Sequence, residues 1–131
     1  DKELPRVDAI NTCLYPKGSH TYKKNNHCFA VPELATLTDN CPNARLDVQS
    51  CRLISPALPK HIKGKIVPCS VKPDAQQLCV SLNYLDHKAP RKIRAVVRGT
   101  DSSGNFAEVE TTVTINKTRP KRGANKDCKL V

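Results

Sequence analysis

Seven cysteines are the residues whose type and spacing most restrict the chemistry of this chain. A zinc finger or ribbon needs cysteine pairs two to four residues apart, and a thioredoxin-like redox centre needs Cys-x-x-Cys. No two cysteines of this sequence are closer than ten residues. The spacing therefore favours a disulfide framework, formed in an oxidising compartment, over a metal or redox centre.

The simplest disulfide pairing joins cysteines that are neighbours in the chain. Spacings of 15, 10 and 10 residues suggest three local bridges, Cys13–Cys28, Cys41–Cys51 and Cys69–Cys79. Six cysteines allow many other pairings, so the sequence leaves the connectivity open. In this arrangement Cys128 is left unpaired or bonds to a partner chain.

Basic residues are the second chemical feature, because the formal net charge is +10. Residues 117–131 hold six basic residues against Asp127, so half of the net charge lies there. Long-range attraction can bring an acidic polysaccharide or an acidic protein surface to clustered cations. The alternative is a solvated surface on which arginines pair with nearby glutamates. The candidate binding residues form two groups, Lys60, His61, Lys63 and Lys65, and Lys88, Arg91, Lys92 and Arg94.

Other kinds of site have less support in the sequence. The basic residues lack the interleaved aromatic residues of nucleic-acid stacking surfaces, so we expect no nucleic-acid partner. The four histidines have no ligand spacing, and we expect no metal or cofactor. We also expect no enzyme, because the chain has no nucleophile elbow, Gly-rich phosphate loop or His-Glu-x-x-His sequence.

The elements that must position these residues are clearest between residues 93 and 115. Apolar and polar residues alternate on both sides of the segment 101–105, which predicts a hairpin. One register places Val97 opposite Val109 and Arg98 opposite Glu108, and a slip of one residue would invert both faces. Asp101 and Gly104 are typical of a structural turn. A calcium site is the alternative, although this turn supplies few carboxylates.

The rest of the chain also favours an all-β fold with long irregular loops. Residues 45–53 alternate like a strand with Leu46, Val48 and Ser50 on one face, and residues 77–85 have the apolar density of a buried strand. Ten prolines are spread over the chain, which together with the short β-like segments favours an all-β domain. We expect one domain at 1–116, with a loop-rich part at 1–30, and a basic tail or linker at 117–131. No segment has the roughly 18 apolar residues of a membrane span.

Two stretches carry a family resemblance. They are "VPELATLTDNCPNARLDVQSC", which ends at Cys51, and "IRAVVRGTDSSGNFAEVETTVTI" at 93–115. Both resemble the hyalin-repeat (HYR) module, an immunoglobulin-like β-sandwich of extracellular proteins. The family's partner cysteine after the Gly-Asn turn is missing here, and the middle of this chain is longer. The matching positions are Pro32, Ala35, Asp39, Asn40, Cys41, Asp101, Gly104 and Asn105.

This resemblance implies an immunoglobulin-like fold and an adhesion or spacer role without catalysis. We expect a secreted, disulfide-bonded binding or adhesion module, with a structural matrix or cell-wall module and a small receptor-binding effector as alternatives. Asn116 begins a glycosylation sequon, and Arg119 begins an Arg-x-Lys-Arg sequence of the kind that furin-like proteases recognise. If Cys128 bonds to another chain, the tail is a point of assembly.

Overall fold

The structure is a computed structural model that describes residues 4–16, 26–38, 43–86, 88–119 and 128–131. These residues form strands and one 3₁₀ helix, and no α-helix occurs among them, so the predicted all-β class is confirmed. No helix within these ranges is long and apolar enough to cross a membrane. The elements are β1 (Arg6–Ala9), β2 (Thr12–Tyr15), β3 (Asn26–Ala30), the 3₁₀ helix (Val31–Glu33), β4 (Ala35–Thr38), β5 (Arg45–Ser55), β6 (Cys69–Val71), β7 (Gln77–Ser81), β8 (Arg91–Thr100), β9 (Phe106–Ile115) and β10 (Lys129–Leu130).

The strands form three sheets that share one apolar core. A five-stranded sheet has the order β10-β2-β9-β8-β5, a three-stranded sheet has the order β3-β7-β6, and β1 pairs with β4. Burial of apolar surface is the main stabilising term in such a core. Its fully buried side chains come from both larger sheets and include Leu14, Leu78, Val80, Ile93, Val97, Val113 and Ile115.

The hairpin of β8 and β9 has the predicted register. Val97 lies opposite Val109, and Arg98 lies opposite Glu108. The turn between them is a structural one, as predicted. The Asp101 carboxylate accepts hydrogen bonds from the backbone N–H groups of Ser103 and Asn105, both at 2.9 Å, and Gly104 takes the positive φ of 87° that the turn needs.

Strand β5 is present, but one of its predicted faces is wrong. The pairing with β8 is irregular between Val48 and Ser50, where Gln49 has no partner. An extra residue of this kind reverses the side-chain alternation that follows it. Cys51 therefore lies opposite the buried Ala95, and Ser50 lies on the outer face with Val96.

The described residues near both ends of the chain form more strands than the sequence indicates. Three strands lie within residues 1–30, where mostly loop was expected. Strand β1 pairs with β4, β2 pairs with β9 and β3 pairs with β7. The partners of β2 and β3 are distant in sequence, so local alternation does not reveal these pairings. The segment 117–131 was expected to be a tail, yet β10 within it pairs with β2 and extends the five-stranded sheet.

The predicted disulfide connectivity is wrong. The structure pairs Cys13 with Cys128, Cys28 with Cys79 and Cys51 with Cys69. Cys128 is therefore bonded within the chain, contrary to the prediction of an unpaired or intermolecular cysteine. The reason is topological, since each bridge joins strands or segments that the fold places side by side, and two of the bridges span 51 and 115 residues of sequence. Cys41, Asp39 and Asn40 lie outside the described residues.

Candidate binding site

The first predicted basic group lies on one tight loop between β5 and β6, here called the basic loop (residues 59–66). The backbone carbonyl of Pro59 accepts hydrogen bonds at 2.9 Å from the N–H groups of both Ile62 and Lys63. The N–H of Lys65 donates to the carbonyl of Ile62 at 2.8 Å, and Gly64 has a φ of 90°. These contacts fold the segment back on itself and fix its backbone.

The basic loop has one buried side chain among several exposed ones. Ile62 is only 7% exposed and anchors the loop. Burial of a side chain of this kind stabilises a fold by about 1.5–3 kcal/mol. Lys60, His61, Lys63 and Lys65 are all exposed. In the part of the chain that the structure describes, none of these four side chains forms a salt bridge with a carboxylate. The first group is thus a compact cationic surface.

The second predicted group does not form one surface, because Arg91 is buried. It is 4% exposed and in phase with the inward residues Ile93 and Ala95. Its guanidinium donates to three backbone carbonyls, at 3.1 Å to Ser81 and at 3.0 Å to Asn83 and Tyr84. The binding role predicted for Arg91 is therefore wrong, since the side chain is used to hold the segment after β7.

Arg91 keeps its positive charge although it is buried. Desolvation by burial lowers the pKa of the guanidinium from its ordinary value. An arginine nonetheless remains protonated in proteins, so a positive charge is present inside the fold. The three carbonyl oxygens offset part of the desolvation cost. A buried cation therefore lies directly behind residues 81–84.

The other members of the second group are exposed or already paired. Lys88 and Lys92 are exposed, and Arg94 lies 3.6 Å from Glu110 on the outer face of the five-stranded sheet. Neighbouring Arg98 pairs with Glu108 at 2.7 Å. This face therefore mixes both signs of charge and presents a weaker cationic field than the basic loop does.

One cation of that outer face was missed by the sequence analysis. Arg52 is exposed and lies directly opposite Arg94 in the pairing of β5 with β8. The irregular pairing at Gln49 puts Arg52 on this face, so a strict alternation through β5 would not have found it. Like charges that face each other across strands destabilise a sheet slightly.

A small cavity adjoins the basic loop. It has a volume of about 200 Å³ and is lined by Asn26, Lys65, Ile66, Val67, Ser81 and Asn83. Lys65 therefore belongs both to the basic loop and to the wall of the cavity. Two residues of the cavity wall, Ser81 and Asn83, accept hydrogen bonds from the buried Arg91 through their backbone carbonyls.

A larger cavity, of about 650 Å³, lies elsewhere in the fold. Strands β2 and β10 of the five-stranded sheet and β3 of the three-stranded sheet contribute to its wall, with Leu14, Phe29 and Leu130 among the apolar residues. No residue of either predicted basic group lines it. It is therefore separate from the charged surface described above.

The predicted glycosylation site is less accessible than expected. The Asn116 side chain is half-buried, and its Nδ2 lies 3.0 Å from Cys13 Sγ and 3.7 Å from Cys128 Sγ. The amide nitrogen that would carry a glycan is thus packed against the disulfide. Pro120, Lys121 and Arg122 of the possible protease sequence lie outside the described residues, as do His20 and His87.

No group of three or more His, Cys, Asp or Glu side chains suited to a metal ion occurs within the described ranges. Neither a protein-family model nor a curated protein sequence matches this chain. The basic loop and the cavity beside it are therefore the candidate functional features of the described residues.

Proposed function

We propose that this protein is an extracellular, non-catalytic binding module that contacts an acidic polymer through the basic loop. The observation that carries the proposal is the exposure of Lys60, His61, Lys63 and Lys65 on one tight turn, without salt-bridge partners among the described residues. Lysine ammonium groups are strongly hydrated point charges on flexible stems. They suit a repeating anionic partner better than a single shaped anion.

The charge distribution supports the choice of this loop over the outer face of the sheet. Arg94 and Arg98 have glutamate partners, and Arg91 is buried, so that group has few cations that a partner can use. In an exposed ion pair the two charges offset each other, and salt screens both. Clustered cations without partners instead raise the local concentration of an anion.

The fold is consistent with an extracellular module of immunoglobulin-like type. Support comes from the two larger sheets that share a core and from the three disulfides, since disulfides persist mainly in oxidising compartments. The resemblance to hyalin-repeat modules points in the same direction. The alternative of an assembly cross-linked through Cys128 loses its basis, because Cys128 bonds to Cys13.

Retention on immobilised heparin tests the proposal. We expect the triple variant Lys60→Ala, Lys63→Ala, Lys65→Ala to elute at a clearly lower salt concentration than the unmodified protein. Each lost cation contact removes counterion release from the binding equilibrium, as in other polyelectrolyte complexes.

The matched control removes the same charge from three separate parts of the chain. Lys72, Lys117 and Lys129 are all exposed, and none belongs to the basic loop. We expect their combined change to alanine to shift elution much less. Equal shifts for the two triple variants would mean that retention follows net charge alone, and the basic loop would then not be the binding site.

A further inference from the structure

Strand β3 has a free edge in the three-stranded sheet. Among the residues that the structure describes, it pairs with β7 on one side and with no strand on the other. Asn26, Cys28 and Ala30 on this strand are exposed, whereas His27 is half-buried and Phe29 is buried. An edge strand presents backbone N–H and C=O groups that can pair with another extended chain.

Two hydrogen bonds at the end of β3 show which backbone groups face the free edge. In an antiparallel pair, residues whose N–H and C=O groups point to the partner strand alternate with residues whose groups point away. The N–H of Val31 donates to the carbonyl of Gln76, the residue before β7, at 2.9 Å. The N–H of Ala30 instead donates to Glu33 Oε1 at 3.1 Å. The backbone of Val31 thus bonds on the β7 side, and that of Ala30 faces away.

This alternation assigns the earlier residues of β3. His27 and Phe29 are in phase with Val31, so their backbone groups bond to β7. Asn26 and Cys28 alternate with them, so their N–H and C=O groups point to the free edge. Cys28 alone can therefore exchange two hydrogen bonds with one residue of an added antiparallel strand.

The cavity of about 650 Å³ adjoins this edge strand. His27 and Phe29 of β3 line it, together with Leu130 and Val131 near the end of the five-stranded sheet. Leu130 is 54% exposed, so a partner can reach apolar surface there. The volume lies within the roughly 300–1,000 Å³ of small-molecule pockets, which is room for two apolar side chains. Residues directly opposite each other share a face of a sheet, so every second side chain of an added strand faces the cavity.

Charge favours an acidic peptide over a second copy of this chain as the added strand. Two copies, each with a formal net charge of +10, repel each other. Lys129 lines the cavity and forms no salt bridge with a carboxylate in the described part of the chain. Glu33 also lines the cavity, but its carboxylate accepts the Ala30 N–H. An acidic segment therefore complements this surface.

From these observations we propose that the free edge of β3 and the cavity beside it bind an extended, acidic peptide segment of a partner protein. The segment adds to β3 as an antiparallel strand, the pairing that is more stable per residue. Two apolar side chains at positions i and i+2 enter the cavity, and the residue between them bonds to the backbone of Cys28. This surface is separate from the basic loop, so the inference goes beyond the proposed function.

Two fluorescein-labelled peptides of equal composition test the spacing of the apolar side chains. The two valines are at alternate positions in EEVSVEE and adjacent in EVVSEEE. We expect saturable binding of EEVSVEE to the unmodified protein, measured by fluorescence anisotropy. The Kd of EVVSEEE should be at least about tenfold higher, because only alternate side chains share a face of a strand. Equal Kd values, or no saturable binding of EEVSVEE, would overturn the proposal.

Methylation of single peptide nitrogens tests the backbone pairing. The serine N–H of EEVSVEE donates to Cys28, whereas the valine N–H groups face away from β3. We expect N-methylation at the serine to raise the Kd at least about tenfold, because it removes a donor and crowds the edge. N-methylation at the second valine is the matched control, with an expected change below about threefold. Equal Kd values for the two methylated peptides would contradict the pairing.

Two exposed leucines locate the site on the protein. Leu130 lines the cavity, whereas Leu4, which is 64% exposed, does not. Leu130→Asp and Leu4→Asp each remove one apolar side chain and add one negative charge. We expect the Kd of EEVSVEE to rise about tenfold for Leu130→Asp and less than about threefold for Leu4→Asp. Equal Kd values for the two variants would show that the peptide binds elsewhere.

Sedimentation velocity tests the other occupant of the free edge. We expect the unmodified protein to be a monomer at the concentrations of the peptide titration. A dimer that Leu130→Asp dissociates would mean that a second copy pairs with β3, and the proposal of an acidic peptide would be wrong. The lysine triple variant of the basic loop should bind EEVSVEE with a Kd within about threefold of the unmodified protein. The peptide site and the basic loop can therefore fail separately.

Discussion

Arg91 shows how the role of a single residue depends on the direction of its side chain. In the sequence it stands with Lys88, Lys92 and Arg94 as one basic group, but the structure buries it against three backbone carbonyls. The signal was present, because Arg91 is two residues before Ile93 and so in phase with the inward face of β8. Extending the alternation by two residues would have identified it. The partners of its guanidinium, in contrast, depend on the turn after β7 and are not visible in the sequence.

Replacing Arg91 tests its structural role. We expect Arg91→Leu to lower the free energy of unfolding by at least about 3 kcal/mol, because it leaves buried carbonyl groups without donors. Urea denaturation measures this change. Arg52→Leu is the matched control on the exposed outer face, with an expected change within about 0.5 kcal/mol. Equal, small losses for the two variants would mean that Arg91 does not hold the segment after β7.

At the scale of elements, the local hairpin was predictable and the distant pairings were not. Strands β8 and β9 are joined by a short turn, so alternation and charge matching in one stretch define their register. Strand β2 pairs with β9 and β3 pairs with β7 across long separations, which no local pattern encodes. The basic loop belongs to the predictable part, because its lysines are adjacent in sequence. Its neighbour Asn83 is brought beside it only by the fold.

The hairpin register makes a prediction about Val97. This residue is fully buried between Val48 on β5 and Val109 on β9. We expect Val97→Asp to unfold the domain, since it buries a charge without a partner. Val96→Asp is the matched control, because Val96 lies on the outer face opposite Ser50 and Glu110. Far-ultraviolet circular dichroism should show a folded Val96→Asp and an unfolded Val97→Asp; a folded Val97→Asp would contradict the register.

For the whole molecule, the disulfides join segments that the sheets already bring together. Cys51–Cys69 links β5 to β6, which are edge strands of the two larger sheets. Cys13–Cys128 links β2 to the residue before β10, 115 residues away in sequence. Cysteine spacing predicts a disulfide framework but not these pairs, because connectivity follows spatial neighbours. The order of the strands within the sheets is therefore the information that the sequence analysis lacked.

The two bridges should differ in how much they stabilise the fold. A cross-link that closes a longer loop restricts the unfolded chain more, and the separations are 115 and 18 residues. We expect Cys13→Ser with Cys128→Ser to cost about 1.5 kcal/mol more than Cys51→Ser with Cys69→Ser. Urea denaturation under matched conditions compares the two double variants. A larger loss for the shorter loop would contradict this chain-entropy account.

The central claim is that the basic loop is the surface that binds an acidic polymer, and chemical-shift mapping tests it most directly. In ¹H–¹⁵N spectra of the uniformly labelled protein, titrated with a heparin hexasaccharide, we expect the largest backbone shifts at residues 59–66. Arg52, Lys92 and Arg94 on the outer face of the sheet should shift little. Shifts centred on that outer face, or no saturable shifts at all, would contradict the account.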